Sequence, residues 1–319
     1  MSCQFSVTEN RKPKTDNREH IAHRRRPNLY LTLECASLEP MTKNKPSDAP
    51  DGRFTQRKRP AKPQGRRTAA QLSSTSGPTA FEDKGLEYLH QAGHFDEISF
   101  ELRSGKEATV YVVDGPKGLL AAKLYADSRV RTFTQDGMYK EGRETSDARM
   151  QKVRQNARKF GVPLEQARWI YEEFWQMEHL FLAGVRVPQP IEHAGRVVLM
   201  GYLGDEDEAA PRVSDARLEW KVAEGAFEGA LEQLVLMLQA GRVHGDFSAF
   251  NLLWWEDKVW VIDFPQVAEI GKNPAWRTLL ERDVQNLCTS FVKLGVREDP
   301  DKVLEDVWKR SGLPGSARG

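Results

Sequence analysis

The chain has 319 residues, of which 39% are hydrophobic, with 47 Lys and Arg against 46 Asp and Glu for a formal net charge of +1. That length holds one or two domains. Nothing in it approaches a run of roughly 18 apolar residues, which excludes a membrane-spanning helix, and its polar start excludes a signal peptide. The charge is uneven: residues 1–67 carry 16 basic and 7 acidic side chains, a net of +9, which leaves 31 basic and 39 acidic ones, a net of −8, in 68–319. The three cysteines, Cys3, Cys35 and Cys288, are odd in number, far apart and without metal-ligand spacing. They read as free thiols of a reducing compartment, so a cytoplasmic protein is expected.

Residues 1–79 read as a disordered basic tail. RRRP (24–27), QRKRPAKPQGRR (56–67) and AAQLSSTSGP (69–78) cannot bury enough apolar surface to offset the entropy of ordering them. Their charge suits RNA phosphates, although a solvated tail is the commoner use of such a segment. From Phe81 the pattern changes. Phe81, Leu86 and Leu89 are near helical spacing in a segment ending at Gly93. ISFELR (98–103) alternates as a strand, and ATVYVVDG (108–115) and LLAAKLY (119–125) predict a hairpin around DGPKG. Residues 126–164 are charged with little period and read as a flexible loop with some helix. The segment 165–184 is a strong helix, with Trp169, Phe174, Met177, Leu180 and Phe181 spaced for one buried face and Gly184 ending it. A second hairpin is expected over 191–203 and a helix over most of 218–241. A strand over 258–264, a helix over 278–295 and a short last helix over 301–310 complete the series. The order is strands with one helix, then mainly helices, which is an α+β arrangement with two lobes. It divides into an N-lobe over 80–200 and a C-lobe over 201–310, followed by a disordered tail over 311–319.

The segment that carries most chemistry is His244-Gly245-Asp246-Phe247-Ser248-Ala249-Phe250-Asn251, followed by Asp263 at the end of an apolar strand. Phosphoryl transfer needs a carboxylate to orient an attacking hydroxyl and take its proton. It also needs oxygen ligands for a hard cation that bridges the phosphates. Protein kinases meet this with H-R-D-x-x-x-x-N and a later metal-binding Asp; Asp246 and Asn251 keep the same separation here. Taken singly, Asp246 reads more often as a turn residue, Asn251 as a cap and Asp263 as a solvated strand end. Ser104-Gly105-Lys106-Glu107-Ala108 joins two strands; small residues there would let backbone N–H groups approach phosphate, and a plain hairpin turn is the bland alternative. Lys123 stands alone in an apolar strand, echoing V-A-I-K, and is costly to bury unpaired. Glu173 is its best candidate partner, ahead of Glu172 and Glu178. The segment 198–204, with Met200, Tyr202 and Leu203, would join the lobes and offer backbone groups to an adenine edge.

These residues resemble the RIO family of atypical protein kinases, closest to its first subfamily. The matching stretches are SGKEATVY (104–111), AAKLY (121–125), EEFWQMEHLFLAGVRVPQPI (172–191), HGDFSAFNLLWW (244–255), VIDFPQ (261–266) and ERDVQNL (281–287), in the expected order over roughly 81–295. The resemblance implies a minimal two-lobed kinase-like fold and ATP-dependent serine/threonine phosphorylation, including autophosphorylation, with Mg²⁺ or Mn²⁺. It implies an ATP site formed by Ser104, Gly105, Lys106, Glu107, Ala108, Val110, Lys123, Glu173, Met200, Tyr202 and Leu203. It maps Asp246 to the catalytic base and Asn251 and Asp263 to metal ligands, and it allows Asp263 to accept phosphate transiently. Ser128, Thr132, Thr134, Thr145 and Ser146 become candidate autophosphorylation sites.

The family usually has H-G-D-L-S-E-[FY]-N, so Phe247 and Ala249 depart from it. Gly201 stands where Glu is usual and Pro265 where Ser is frequent. Ordinary kinases carry Arg where Gly245 stands, and that Arg pairs with a phosphorylated activation loop. Basal activity without an upstream kinase is therefore expected. The resemblance also supports a second class, an ATPase switch on ribosomal particles with the basic tail gripping RNA. A small-molecule kinase sharing H-G-D-x-x-x-x-N is disfavoured by the S-G-K-E-A loop, and an inactive scaffold by the intact Lys123, Asp246, Asn251 and Asp263.

Overall fold

The protein is described here from a computed structural model, which covers residues 81–126 and 147–313. The basic tail and the candidate sites Ser128, Thr132, Thr134, Thr145 and Ser146 lie outside the described residues.

Helix α1 (Lys84–Gln91) begins on Asp83. The Asp83 Oδ1 accepts the N–H groups of Gly85 and Leu86 at 2.8 and 3.2 Å, while Oδ2 pairs with Arg196 at 2.8 Å. Gly85 is required by packing, since a Cβ there would lie 2.2 Å from the Ala194 carbonyl oxygen. Strands β1 (Ile98–Ser104), β2 (Ala108–Gly115), β3 (Gly118–Tyr125), β4 (Pro190–Ala194) and β5 (Val197–Gly201) form one antiparallel sheet in the order β1-β2-β3-β5-β4. Side chains alternate across it. Ile98, Tyr111, Val113, Ala122 and Leu199 face α1 in a core with Leu86 and Leu89. Tyr125 and Val198 face the second core.

Helix α2 (Asp147–Phe160) runs 14 residues inside 126–164, the segment read as a flexible loop with some helix. Its buried stripe is only Val153 and Ala157, one i,i+4 pair resting near Ala167 and Tyr171, which is too narrow to register as a period. Helix α3 (Leu164–Leu182) agrees with the predicted helix, and Gly184 follows it with φ +82. Its buried face differs from the expectation. Met177 and Leu180 are buried and Trp169 and Phe174 half-buried, but Phe181 is 40% exposed, and Ile170 and Glu173 fill the inward positions. The helix has two neighbours, so its inward stripe curves from the sheet toward the larger core instead of following one straight face.

That larger core surrounds α4 (Trp220–Gln239), in which Leu234, Met237 and Leu238 are fully buried. Around it lie β6 (Arg242–Val243), the hairpin β7 (Leu252–Trp255) with β8 (Lys258–Val261), β9 (Ala268–Glu269), α5 (Trp276–Phe291), a short 3₁₀ turn (Val292–Leu294) and α6 (Pro300–Ser311). Helix α6 runs one residue past the expected end, and Ser311 is buried. Among the described residues no helix is long and apolar enough to cross a membrane.

Candidate active site

Lys123 comes from β3 and Asp263 from the turn after β8, 140 residues later. They meet at 2.8 Å between Nζ and Oδ1, and the Glu173 Oε1 of α3 completes the group at 2.7 Å from the same Nζ. Of the four carboxylates on α3, Glu165, Glu172, Glu173 and Glu178, only Glu173 is buried; the Tyr125 hydroxyl donates to its other oxygen. Burial works against the Lys123 charge, but Asp263 and Glu173 overcome it and hold the ammonium well above its ordinary range. Burial raises Glu173 above the usual carboxylate range, with Lys123 pulling the other way. Lys123 holds Asp263 below that range, and its side chain is still 43% exposed to the cleft. Asp263 has φ +74, a left-handed backbone that Asp tolerates better than most residues.

The 244–251 loop is tied down by three side chains of α5. Its amides at Gly245 and Phe247 donate to the two oxygens of Asp283 at 2.8 and 2.9 Å, and the Ala249 amide donates to the Ser290 hydroxyl at 3.0 Å. The Arg282 guanidinium donates to the Gly245 carbonyl at 2.5 Å. Gly245 has φ +84, which an arginine would not adopt without strain, so its identity follows from backbone geometry. The Asp246 amide donates to His244 Nδ1 at 3.3 Å, so the His244 proton is on Nε2 and is donated to the Ile262 carbonyl at 3.2 Å. Burial keeps this imidazole below its ordinary pKa and therefore neutral. Asn251 Nδ2 donates to the carbonyl and the Oδ2 of Asp246, both at 2.9 Å. With Nδ2 so committed, the amide oxygen is the end left for a cation.

The other expected residues are placed unevenly. Gly105, Lys106 and Glu107 form an exposed turn closed by the Gly105 amide on the Ala108 carbonyl at 3.0 Å. Val110 stands opposite Lys123 in register, on the face that carries the lysine into the cleft. Ser104 does not join them: its hydroxyl bonds Thr109 at 3.1 Å, and Thr109 lies on the opposite face from Val110, so only the Ser104 backbone can serve the cleft. Met200, Tyr202 and Leu203 are half-buried where β5 leaves the sheet. There the Gly201 amide donates to the Gln189 carbonyl and the Leu203 carbonyl accepts from Ala210. Those two backbone groups are used within the protein, so an adenine edge must find its partners elsewhere in 200–203.

Sequence reasoning missed Asp283, Arg282 and Ser290 as site residues. Asp283 did leave a signal. It stands among Leu279, Leu280, Val284 and Leu287 on the buried stripe of α5, where a carboxylate calls for a polar partner. Burial pushes it up to about 7 against the pull of its two amide donors.

The donor set suits magnesium. Asn251 and Asp263 offer an amide and a carboxylate oxygen, the hard ligands such a cation takes alongside substrate phosphates. Among the described residues no group of three or more His, Cys, Asp or Glu is arranged as a self-sufficient metal site.

A family model described as RIO domain matches residues 109–303. A RIO-type serine/threonine-protein kinase Rio1 of Haloferax volcanii is 31% identical over 71% of this chain and 74% of its own length. The protein of the same name in Thermoplasma acidophilum is 29% identical over 61% of this chain and 96% of its own. Among solved structures, the Rio2 kinase–ADP/Mg²⁺–phosphoaspartate complex from Chaetomium thermophilum superposes with a TM-score of 0.52 at 20% identity. The match covers 73% of this chain and 67% of that one, a likeness of fold.

Proposed function

The chain belongs to the RIO family, and from that premise we propose that it is an ATP-dependent serine/threonine protein kinase whose chemistry runs on Lys123, Asp246, Asn251 and Asp263. The observation that carries the assignment of roles is the meeting of Lys123, Glu173 and Asp263 across the lobes, within one cleft with the Asp246–Asn251 pair.

In this reading Lys123, fixed by Glu173, presents its charge to the phosphates. Asp246, steadied by Asn251, orients the acceptor hydroxyl and takes its proton as the oxygen attacks the terminal phosphorus. Asn251 and Asp263 are the residues that would hold Mg²⁺ or Mn²⁺, which would supply charge neutralisation at the phosphates. The neutral His244 packs behind the loop and keeps the Asp246 backbone in register with Ile262.

A second reading rests on Asp263, whose carboxylate is open to the cleft, and on the phosphoaspartate of the Chaetomium Rio2 complex. Here an Asp263 oxygen attacks the terminal phosphorus, ADP leaves, and water later releases phosphate. That makes the protein an ATPase switch, with RNA or a ribosomal particle on the basic tail and a reducing cytoplasm as its setting.

Incubation with [γ-³²P]ATP and Mg²⁺ or Mn²⁺, applied to wild type, Asp246→Ala and Asp263→Ala, separates the two. Label on Ser or Thr, lost in both variants, supports the kinase. Free phosphate with acid-stable label absent supports the switch. No turnover of either kind, with ribosomal particles added, refutes both.

A further inference from the structure

Strand register places Arg103, Val110 and Lys123 in one row, Arg103 opposite Val110 and Val110 opposite Lys123. Directly opposed residues share a face, so Arg103 stands on the cleft face of the sheet, two strand spacings or about 10 Å from Lys123. Across the cleft, residues 211–214, a bridge residue leading into a turn, lie as a strap against the 244–251 loop and β7. The Val213 amide donates to Leu252 at 2.9 Å and the Ser214 amide to Ala249 at 3.0 Å, while the Trp254 amide donates to Pro211 at 2.9 Å. Arg212 is in bridge register with Leu253, two residues from Asn251, and is half-buried.

Arg212 is thus a cation held by backbone bonds beside the reacting groups. Burial and the like charge of Arg103 weigh against its guanidinium, and Asp263 and Asp215 offset them. Among the described residues, the ion pairs at this cleft belong to Lys123, and neither arginine takes part in one. Two guanidinium groups that repel each other across a cleft, with no carboxylate of the described residues at ion-pairing distance from either, favour an anion between them. Charge-assisted, forked hydrogen bonds to phosphate oxygens would satisfy both at once.

We propose that Arg103 and Arg212 form a clamp between the lobes that grips the terminal phosphate of bound ATP on the side away from Lys123. The clamp rests on the kinase reading of this cleft. Once the phosphoryl group has left, its two halves repel again, which favours opening of the lobes with ADP inside. The site therefore prefers ATP over ADP for a reason carried by these two residues.

The test is calorimetric binding of ATP and of ADP, each with Mg²⁺, in an Asp246→Asn background. This change stops turnover while keeping a side-chain oxygen for Asn251 Nδ2. Adding Arg103→Gln or Arg212→Gln weakens ATP binding about tenfold and ADP binding less than about twofold. The double variant loses less than the product of the two, because both arginines hold one anion. Without nucleotide, Arg212→Gln leaves the melting temperature unchanged or raises it, since it removes a repulsion. An unmoved ATP-to-ADP ratio overturns the clamp, and so do equal losses for both nucleotides. A parent that binds neither nucleotide overturns the kinase reading and the clamp with it.

Discussion

Replacing Asp283 removes the anchor of the 244–251 loop without touching any group assigned to the reaction. The carboxylate is fully buried, and each oxygen accepts one buried amide, from Gly245 and from Phe247. Asp283→Ala strands both donors, and a buried unsatisfied donor costs about 1–3 kcal/mol, so a loss of about 2–6 kcal/mol is expected. Asp283→Asn keeps one acceptor and turns an NH₂ group toward the other amide, so about half that loss is expected. The two variants are compared by urea unfolding and by steady-state autophosphorylation, with kcat falling more than the KM for ATP, because the loop carries Asp246 and the lysine side of the site is intact. The pH dependence gives a second reading. A carboxyl near 3.8 in the unfolded chain and about 7 in the native one means that the native state holds more protons between those values. Its contribution to stability is complete below about 4 and is lost as pH rises through 7. Wild type should therefore lose ground to the non-titrating Asp283→Asn between pH 4 and 7. An Asp283→Ala protein within about 0.5 kcal/mol of wild type and fully active would refute the anchoring argument.

Lys123→Met leaves Glu173, whose side chain is 4% exposed, without its cation. A loss of about 3 kcal/mol is expected, shrinking on acidification as Glu173 takes a proton, together with loss of phosphoryl transfer; a stability deficit independent of pH would count against the pairing. Gly245→Arg restores the residue of ordinary kinases but forces it to φ +84, at about 1–2 kcal/mol. Thermal melting should show a weaker protein that gains nothing from treatment with another kinase, and a gain would revive regulation through this position. Burial pushes the Cys288 thiol up to about 11, so the native protein should resist iodoacetamide at that residue until urea is added; rapid native labelling would show the thiol to be accessible. Leu234→Ala, at the fully buried centre of α4, should cost about 2–5 kcal/mol in urea unfolding with KM for ATP unchanged.

Some of this protein was local enough to read along the chain. The β2–β3 hairpin follows from alternation and a turn, and its expected residues 108–115 match β2. The spacing of Asp246 and Asn251 lies within one loop, where the amide of one reaches the carboxylate of the other. A lysine in an apolar strand had to find a carboxylate because an unpaired buried charge is too costly, and Glu173 was already the best placed of the three weighed, ahead of Glu172 and Glu178. What lay beyond reach involves partners far apart in the chain. Which face of α3 turns inward depends on two neighbours at once, so Phe181 was misplaced and Ile170 overlooked. Helix α2 shows a stripe of two residues that means little until α3 lies beneath it. The weight of Asp283 appears only when α5 is laid under a loop 36 and 38 residues earlier. Arg103 and Arg212 carry no motif at all: strand register brings one to the cleft and a backbone strap the other, and backbone hydrogen bonding writes no side-chain pattern into the sequence.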